Sequence, residues 1–246
     1  MTSIAAVTTM DQRYYDLIGH RMLDTYIRYW PQQCNLYVYT EGFDLPVSAP
    51  NVHSIDLYGA VGDRLQSYLD WRGQHYTRKF AFKAYAWIRA METLSQDRLF
   101  YLDADIETKQ PVPLQFLESL IPDNTLLAYM YARATGFDEQ GRDRVWDNAE
   151  TCIYVLNQRH ELADSFRERY TDIYETREIA DRTRYIKSHD TWVMAECVRY
   201  AQGLGAKINN LHPERERRSP IKATVLYQYF NHYKGQKTKN RVANEL

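Results

Sequence analysis

Asp103 and Asp105 stand one residue apart directly behind the apolar run Leu99-Phe100-Tyr101-Leu102. A short apolar run of this kind has the pattern of a buried parallel strand, and open α/β sheets receive ligands at the carboxyl ends of their strands. Two carboxylates at that spacing both reach a hard divalent cation, and such a cation holds a diphosphate. An acid, any residue, then an acid occurs about once by chance in a chain of this composition. The position behind a strand favours a metal or diphosphate site over a solvated loop.

Four further residues carry chemistry in one reading and a plain structural role in the other. Lys79 and Lys83, four apart on one helix face, are a snorkelling solvated pair, or Lys83 faces a bound phosphate. Asp190 is a helix N-cap or a carboxylate of the site. Glu150 directly precedes an apolar strand, as a surface carboxylate or as a contact to a ligand hydroxyl. His232 alone reads as an exposed tail histidine, because a metal role needs a convergent ligand set. The Asp103/Asp105 pair supplies that set.

The elements that must position these groups alternate between β and α. Ile4 to Thr9 is a strand, followed by Asp11 as a helix-starting side chain and by Tyr15, Ile18, Met22, Tyr26 and Tyr29 at helical spacing up to Pro31. Asn35 to Thr40 and Val52 to Leu57 are strands, and residues 63–77 form an irregular connection. Lys79 to Leu94 is a helix with Phe80, Ala84, Trp87, Met91 and Leu94 inward, and Arg98 to Leu102 is the strand before the acidic pair. Pro111 and Pro113 open a helix to Leu120, and Thr125 to Tyr131 is a strand. Arg133 to Asn148, rich in Gly, Asp, Arg and Glu, is an exposed loop. Cys152 to Leu156 is a strand, Gln158 to Tyr174 a helix, and Asp190 to Tyr200 another helix. Strand, helix, strand with a crossover predicts a mainly parallel sheet flanked by helices, hence an α/β fold.

The 246 residues suffice for one domain spanning 1–246. The net charge of −1 advertises neither a nucleic-acid binder nor an acid-seeking protein. From Lys207 to Arg241, however, nine Lys and Arg face two Glu, a local excess of +7 that makes 207–246 a basic C-terminal segment. Cys34, Cys152 and Cys197 are few, odd in number and widely spaced, as reduced thiols of a cytoplasmic protein are. No basic start with an apolar core opens the chain, and no run of about 18 apolar residues predicts a membrane span.

The order of these motifs resembles the GT-A type glycosyltransferases, specifically the metal-dependent glycogenin-like and lipopolysaccharide-galactosyltransferase-like group and its phage-encoded relatives. Four stretches carry the likeness. Thr8 and Thr9 end the first strand, where that group receives the nucleotide, and Tyr101-Leu102-Asp103-Ala104-Asp105 is similar to its metal motif. Glu150-Thr151-Cys152-Ile153-Tyr154-Val155-Leu156-Asn157 is similar to the strand beneath the acceptor sugar, although Ala149-Glu150-Thr151 stands where Asn-Ala-Gly is usual. His189-Asp190-Thr191 is similar to the acidic position facing the reacting sugar. His232-Tyr233-Lys234-Gly235-Gln236-Lys237 is similar to the late His and Gly signature, with Lys237 five and Lys239 seven after the histidine in place of six.

The resemblance implies a single GT-A, Rossmann-like domain whose basic C-terminal segment closes over the donor site. It implies transfer of a hexose or pentose from a UDP-type donor to an acceptor hydroxyl, with retention, on a glycan or a hydroxymethylated base of phage DNA. Asp105 and His232 would ligate Mn²⁺ (or Mg²⁺), with Asp103 as a further ligand or a contact to the ribose. Thr8, Thr9, Tyr14, Lys83, Asp103, Ala104, Gly235 and Lys237 form the implied donor set, and Asp190 and Glu150 the implied catalytic pair. A mixed carboxylate and imidazole set suits Mn²⁺ better than Ca²⁺, and glycine lets backbone approach phosphate. In a phage the setting would be the host cytoplasm. The competing readings are a nucleotidyltransferase, which would want a Gly-rich loop where Thr8-Thr9-Met10-Asp11 has none, and a nucleic-acid-binding module using the basic segment.

Overall fold

A computed structural model describes residues 2–73, 78–137, 143–178, 190–212 and 220–234. Strands β1 (Ile4–Met10), β2 (Asn35–Thr40), β3 (Val52–Asp56), β4 (Arg98–Leu102), β6 (Leu127–Phe137), β7 (Asp143–Asn157) and β8 (Ile208–Asn210) form one sheet in the order β3-β2-β1-β4-β7-β6-β8. β3, β2, β1 and β4 run parallel, β7 is antiparallel to β4 and β6, and β8 is parallel to β6. The sheet is thus mainly parallel, as the alternating pattern predicts. A second, two-stranded sheet pairs β5 (Ile106–Thr108) with β9 (Phe230–His232).

Alternation along the strands feeds two apolar layers. Ala5, Val7, Leu99 and Tyr101 point to one face, where they meet α3 (Leu57–Arg72), α4 (Lys79–Thr93), α6 (Ala163–Glu175) and α7 (Asp190–Gly203). Ile4, Ala6, Phe100 and Leu102 point to the other, against α2 (His20–Tyr29) and the apolar residues around α5 (Leu114–Ser119). Because both faces are covered, strand β4 is buried along its whole length, which is why it reads as an unbroken apolar run. Cys34, Cys152 and Cys197 are free and buried. No helix among the described residues is long and apolar enough to cross a membrane.

Asp11 caps the first helical turn, its side chain accepting from Tyr14 N at 2.6 Å. The helical run continues from α1 (Gln12–Tyr14) through a π-turn at Tyr15–Gly19 into α2. Three predicted segments need correction. Residues 57–72 are helical where 63–77 was expected to be irregular; residues 74–77 lie outside the described ones. Leu57, Val61, Leu65, Tyr68 and Leu69 are all buried at helical spacing, and Asp56 caps the start through Gly59 N at 2.8 Å. The periodicity begins before residue 63, so the truncated window hides it. Arg133 to Asn148 belongs largely to the β6–β7 hairpin, paired from Leu127↔Leu156 to Phe137↔Asp143. Backbone pairing sustains such a hairpin without an apolar period. The helix after β7 begins at Ala163, not Gln158, with turns over 158–162.

Candidate active site

The acidic pair lies beyond the end of β4. Asp103 N donates to Cys152 O at 2.8 Å, and Ile106 N to Asp103 O at 3.0 Å, so the chain turns immediately into β5. There the antiparallel ladder sets Ile106 opposite His232 and Thr108 opposite Phe230. Glu107 fastens the two strands from the side, accepting from Arg21 Nε at 2.6 Å, Asn231 Nδ2 at 3.1 Å and the Tyr233 hydroxyl. Phe230 is buried beside Trp30, its ring centroid 5.9 Å away. This small sheet brings a histidine 127 positions downstream of Asp105 into the acidic site.

One ligand atom each from Asp103, Asp105 and His232 falls within a 4.8 Å cluster, the spacing of groups that share one cation. His232 Nε2 is 3.3 Å from Asp105 Oδ1, and Tyr14 OH donates to Asp105 Oδ2 at 2.9 Å. Glu150, Cys152 and His232 form an overlapping cluster. Burial works against a charged His232, yet the hydrogen bond and charge of Asp105 raise its pKa above the ordinary value. Burial also raises Asp103, and neighbouring Asp105 adds to this, outweighing the pull of Lys83 in the other direction. Crowded carboxylates of this kind are relieved by a cation, and two carboxylates with an imidazole fit Mn²⁺ or Mg²⁺ at a phosphate.

Lys83, on α4, is only 8 % exposed, which removes it from the solvated snorkelling reading. Its Nζ donates to Asp103 Oδ1 at 2.8 Å and Thr151 O at 2.6 Å and pairs with Asp190 Oδ2 at 2.8 Å. The Tyr101 ring centroid is 4.6 Å away. Tyr101 and Tyr154 are cross-strand partners, stacked with centroids 5.1 Å apart, and Trp87 sets its edge against Tyr154. Burial opposes the lysine's charge, but Asp103 and Asp190 hold its pKa well above the usual range. Asp190, at the start of α7, also accepts from Thr151 Oγ1 at 2.6 Å. Burial would raise it; Lys83 and the hydrogen bonds bring it below the ordinary carboxylate value.

These groups line a cleft of about 790 Å³. Thr9, Tyr14, Lys83, Asp103, Ala104, Asp105, Glu150, Asp190 and His232 of the expected set all border it. Thr8 does not; the strand's alternation turns it away, and it is fully buried. Gly235, Lys237 and Lys239 lie outside the described residues. Lys234 does border the cleft, paired with Glu150 Oε2 at 2.6 Å. The sequence reading left out Lys234, Thr151 and Glu41, which also lines the cleft. Glu41 directly follows β2, so the rule of ligands at the carboxyl ends of strands points to it.

No protein-family model and no curated protein matches the chain. Solved structures do share its fold. The chain is similar to the apo form of the bifunctional glycosyltransferase WbbM, with 13% identity, a TM-score of 0.59 and coverage of 96% of this chain and 46% of that one. This chain therefore spans less than half of WbbM's length. It is also similar to the galactosyltransferase LgtC in complex with donor and acceptor sugar analogs (12% identity, TM-score 0.52, 99% and 96% covered). A third likeness is to mouse xyloside xylosyltransferase 1 in its apo form (12% identity, TM-score 0.51, 85% and 84% covered). The fold is the GT-A fold that these glycosyltransferases have.

Proposed function

We propose that this protein is a metal-dependent glycosyltransferase that moves a sugar from a nucleoside-diphosphate donor, of the UDP type, to an acceptor hydroxyl with retention. The observation that carries this reading is the convergence of Asp103, Asp105 and His232 within 4.8 Å in a cleft of about 790 Å³, at the carboxyl ends of the parallel strands. Asp105 and His232 would hold Mn²⁺ or Mg²⁺, with Asp103 as third ligand or contact to the ribose. A divalent cation bound there supplies stabilisation of the negative charge that collects on the departing diphosphate.

The protein's own groups do the rest. Tyr14 fixes one oxygen of Asp105 and so orients the ligand set. Lys83 holds Asp103 and Asp190 in place across the cleft floor. Asp190, kept ionised, is suited to accept hydrogen bonds from sugar hydroxyls and to offset positive charge developing on the sugar, not to carry a proton. Glu150 holds Lys234 at the cleft's edge, where the ammonium is placed to meet a phosphate, with Gly235 and Lys237 following in the chain. Of the basic segment 207–246, residues 208–210 are committed to β8 at the sheet's edge, so it is the part from His232 and Lys234 onward that would face the donor. The whole chain 1–246 acts as one catalytic domain in the cytoplasm, that of the host if a phage encodes it. The acceptor is a glycan hydroxyl or a hydroxymethylated DNA base, which a duplex would have to flip out to present.

Release of UDP from UDP-sugars with Mn²⁺, over a panel of glycans and hydroxymethylated DNA, tests the proposal. Activity should vanish in EDTA and in Asp105→Ala. Equal turnover in either condition would refute metal dependence.

A further inference from the structure

Glu41 is a buried-edge carboxyl that the metal and sugar chemistry leaves without a task. It follows β2, lines the cleft together with Thr9, Met10, Asp11, Phe80 and Phe82, and is half-buried. Its backbone N donates to Met10 O at 3.0 Å, and Thr9 Oγ1 donates to Glu41 Oε1 at 3.1 Å while also reaching Tyr39 O at 2.9 Å. The side chain is therefore held from one side and opens to the cleft on the other. β2 and β4 flank β1, so Glu41 stands two strand spacings, about 10 Å, along the sheet edge from the acidic pair. That separation suits the base of a nucleotide whose diphosphate is held at Asp103 and Asp105. Phe80 and Phe82 add aromatic rings to the lining of the cleft, and Tyr58, whose hydroxyl feels the charge of Glu41, sets its ring edge-on to Phe82 at 6.3 Å. Aromatic faces of this sort stack on bases.

We propose that Glu41 reads the nucleobase of the donor and selects uracil over guanine; the inference rests on the proposed use of the cleft for a nucleotide-sugar. A neutral carboxyl offers an O–H donor beside an acceptor, the complement of the N3–H and O4 edge of uracil. An ionised carboxylate offers two acceptors, the complement of the N1–H and N2–H edge of guanine. Two groups bear on the charge of Glu41: Thr9 at the end of β1, through its hydrogen bond, and Asp11 from the turn after β1, through its carboxylate. Burial pushes its pKa up to about 7 against the hydrogen bond from Thr9, with Asp11 adding to the rise. The neutral form is therefore accessible near neutral pH.

Calorimetric titration of the full chain with Mn²⁺ present, using UDP, GDP and pyrophosphate, separates the possibilities. Losing a paired donor and acceptor should weaken UDP about tenfold or more in Glu41→Ala. Glu41→Gln keeps a donor beside an acceptor and should stay within about threefold of the parent for the same reason. Pyrophosphate should bind all three proteins alike, which also checks that the variants are folded. UDP binding that ignores Glu41→Ala while pyrophosphate still binds would overturn the role of Glu41 and leave the proposed function standing. A preference for GDP that is lost in Glu41→Gln would overturn the choice of uracil. If the parent protein binds neither nucleotide nor pyrophosphate, the proposed function fails and this inference with it.

Discussion

At the scale of single residues the proposed metal site depends on groups that restrain its side chains. Tyr14 touches Asp105 through one hydrogen bond of 2.9 Å, and removing a partner of a ligating group typically costs about 10–100-fold in metal affinity. Tyr14→Phe should therefore weaken Mn²⁺ binding, read by calorimetry, with the melting temperature little changed. Lys83 has a different role, because its buried ammonium compensates two carboxylates, that of buried Asp190 and that of partly exposed Asp103. Breaking a buried pair from one side costs about 3–5 kcal/mol, so Lys83→Met should lower unfolding stability in urea by an amount of that order. The folded-state pKa of Asp190 lies below its unfolded value of about 4. Its contribution is accordingly present above that unfolded value and disappears as the pH falls through the lower folded one. Stability measured from pH 6 down to pH 2 should fall less steeply in Asp190→Asn than in the parent.

At the scale of elements, β5 and β9 decide whether the histidine belongs to the site. Each is only three residues long, and their pairing depends on what backs them: Phe230 against Trp30, and Glu107 gathering Arg21, Asn231 and Tyr233. Truncating a buried phenylalanine costs about 3–5 kcal/mol. Phe230→Ala should cost less global stability than that if β9 opens locally, and Mn²⁺ affinity should then fall although Phe230 is no ligand. Comparing the denaturation midpoint with the Mn²⁺ titration distinguishes local opening from global loss. On the other side of the sheet, Asp56 caps α3, and Asp56→Ala should destabilise the fold by about 1 kcal/mol with metal binding unchanged.

At the scale of the whole molecule, the sheet carries the cleft along its carboxyl edge while two apolar layers pack it between helices. A ligand that binds only the folded chain raises the melting midpoint as its concentration exceeds Kd, by about 2.7 kcal/mol of stabilisation at 100 times Kd. UDP with Mn²⁺ should raise the midpoint more than either alone, and EDTA should cancel the joint effect. The amino-acid sequence by itself determined strands β1 to β4 and most helices around this cleft, because alternation and helical spacing are properties of neighbours in the chain. Strands β5, β8 and β9, three residues each, are too short to show a period and were not predicted. It also placed Asp103 and Asp105 at a strand's end, since the apolar run and the acids are contiguous. The same local logic held the signal for α3, whose buried positions start at Leu57, whereas the β6–β7 hairpin has no such period to read. Only the tertiary structure decided that His232 meets Asp105, that Lys83 is held between Asp103 and Asp190 instead of reaching solvent, and that Glu41 and Lys234 share their cleft. Those relations depend on ladder register and on which faces of separate elements pack together, and no period along the chain encodes a distance between residues a hundred positions apart.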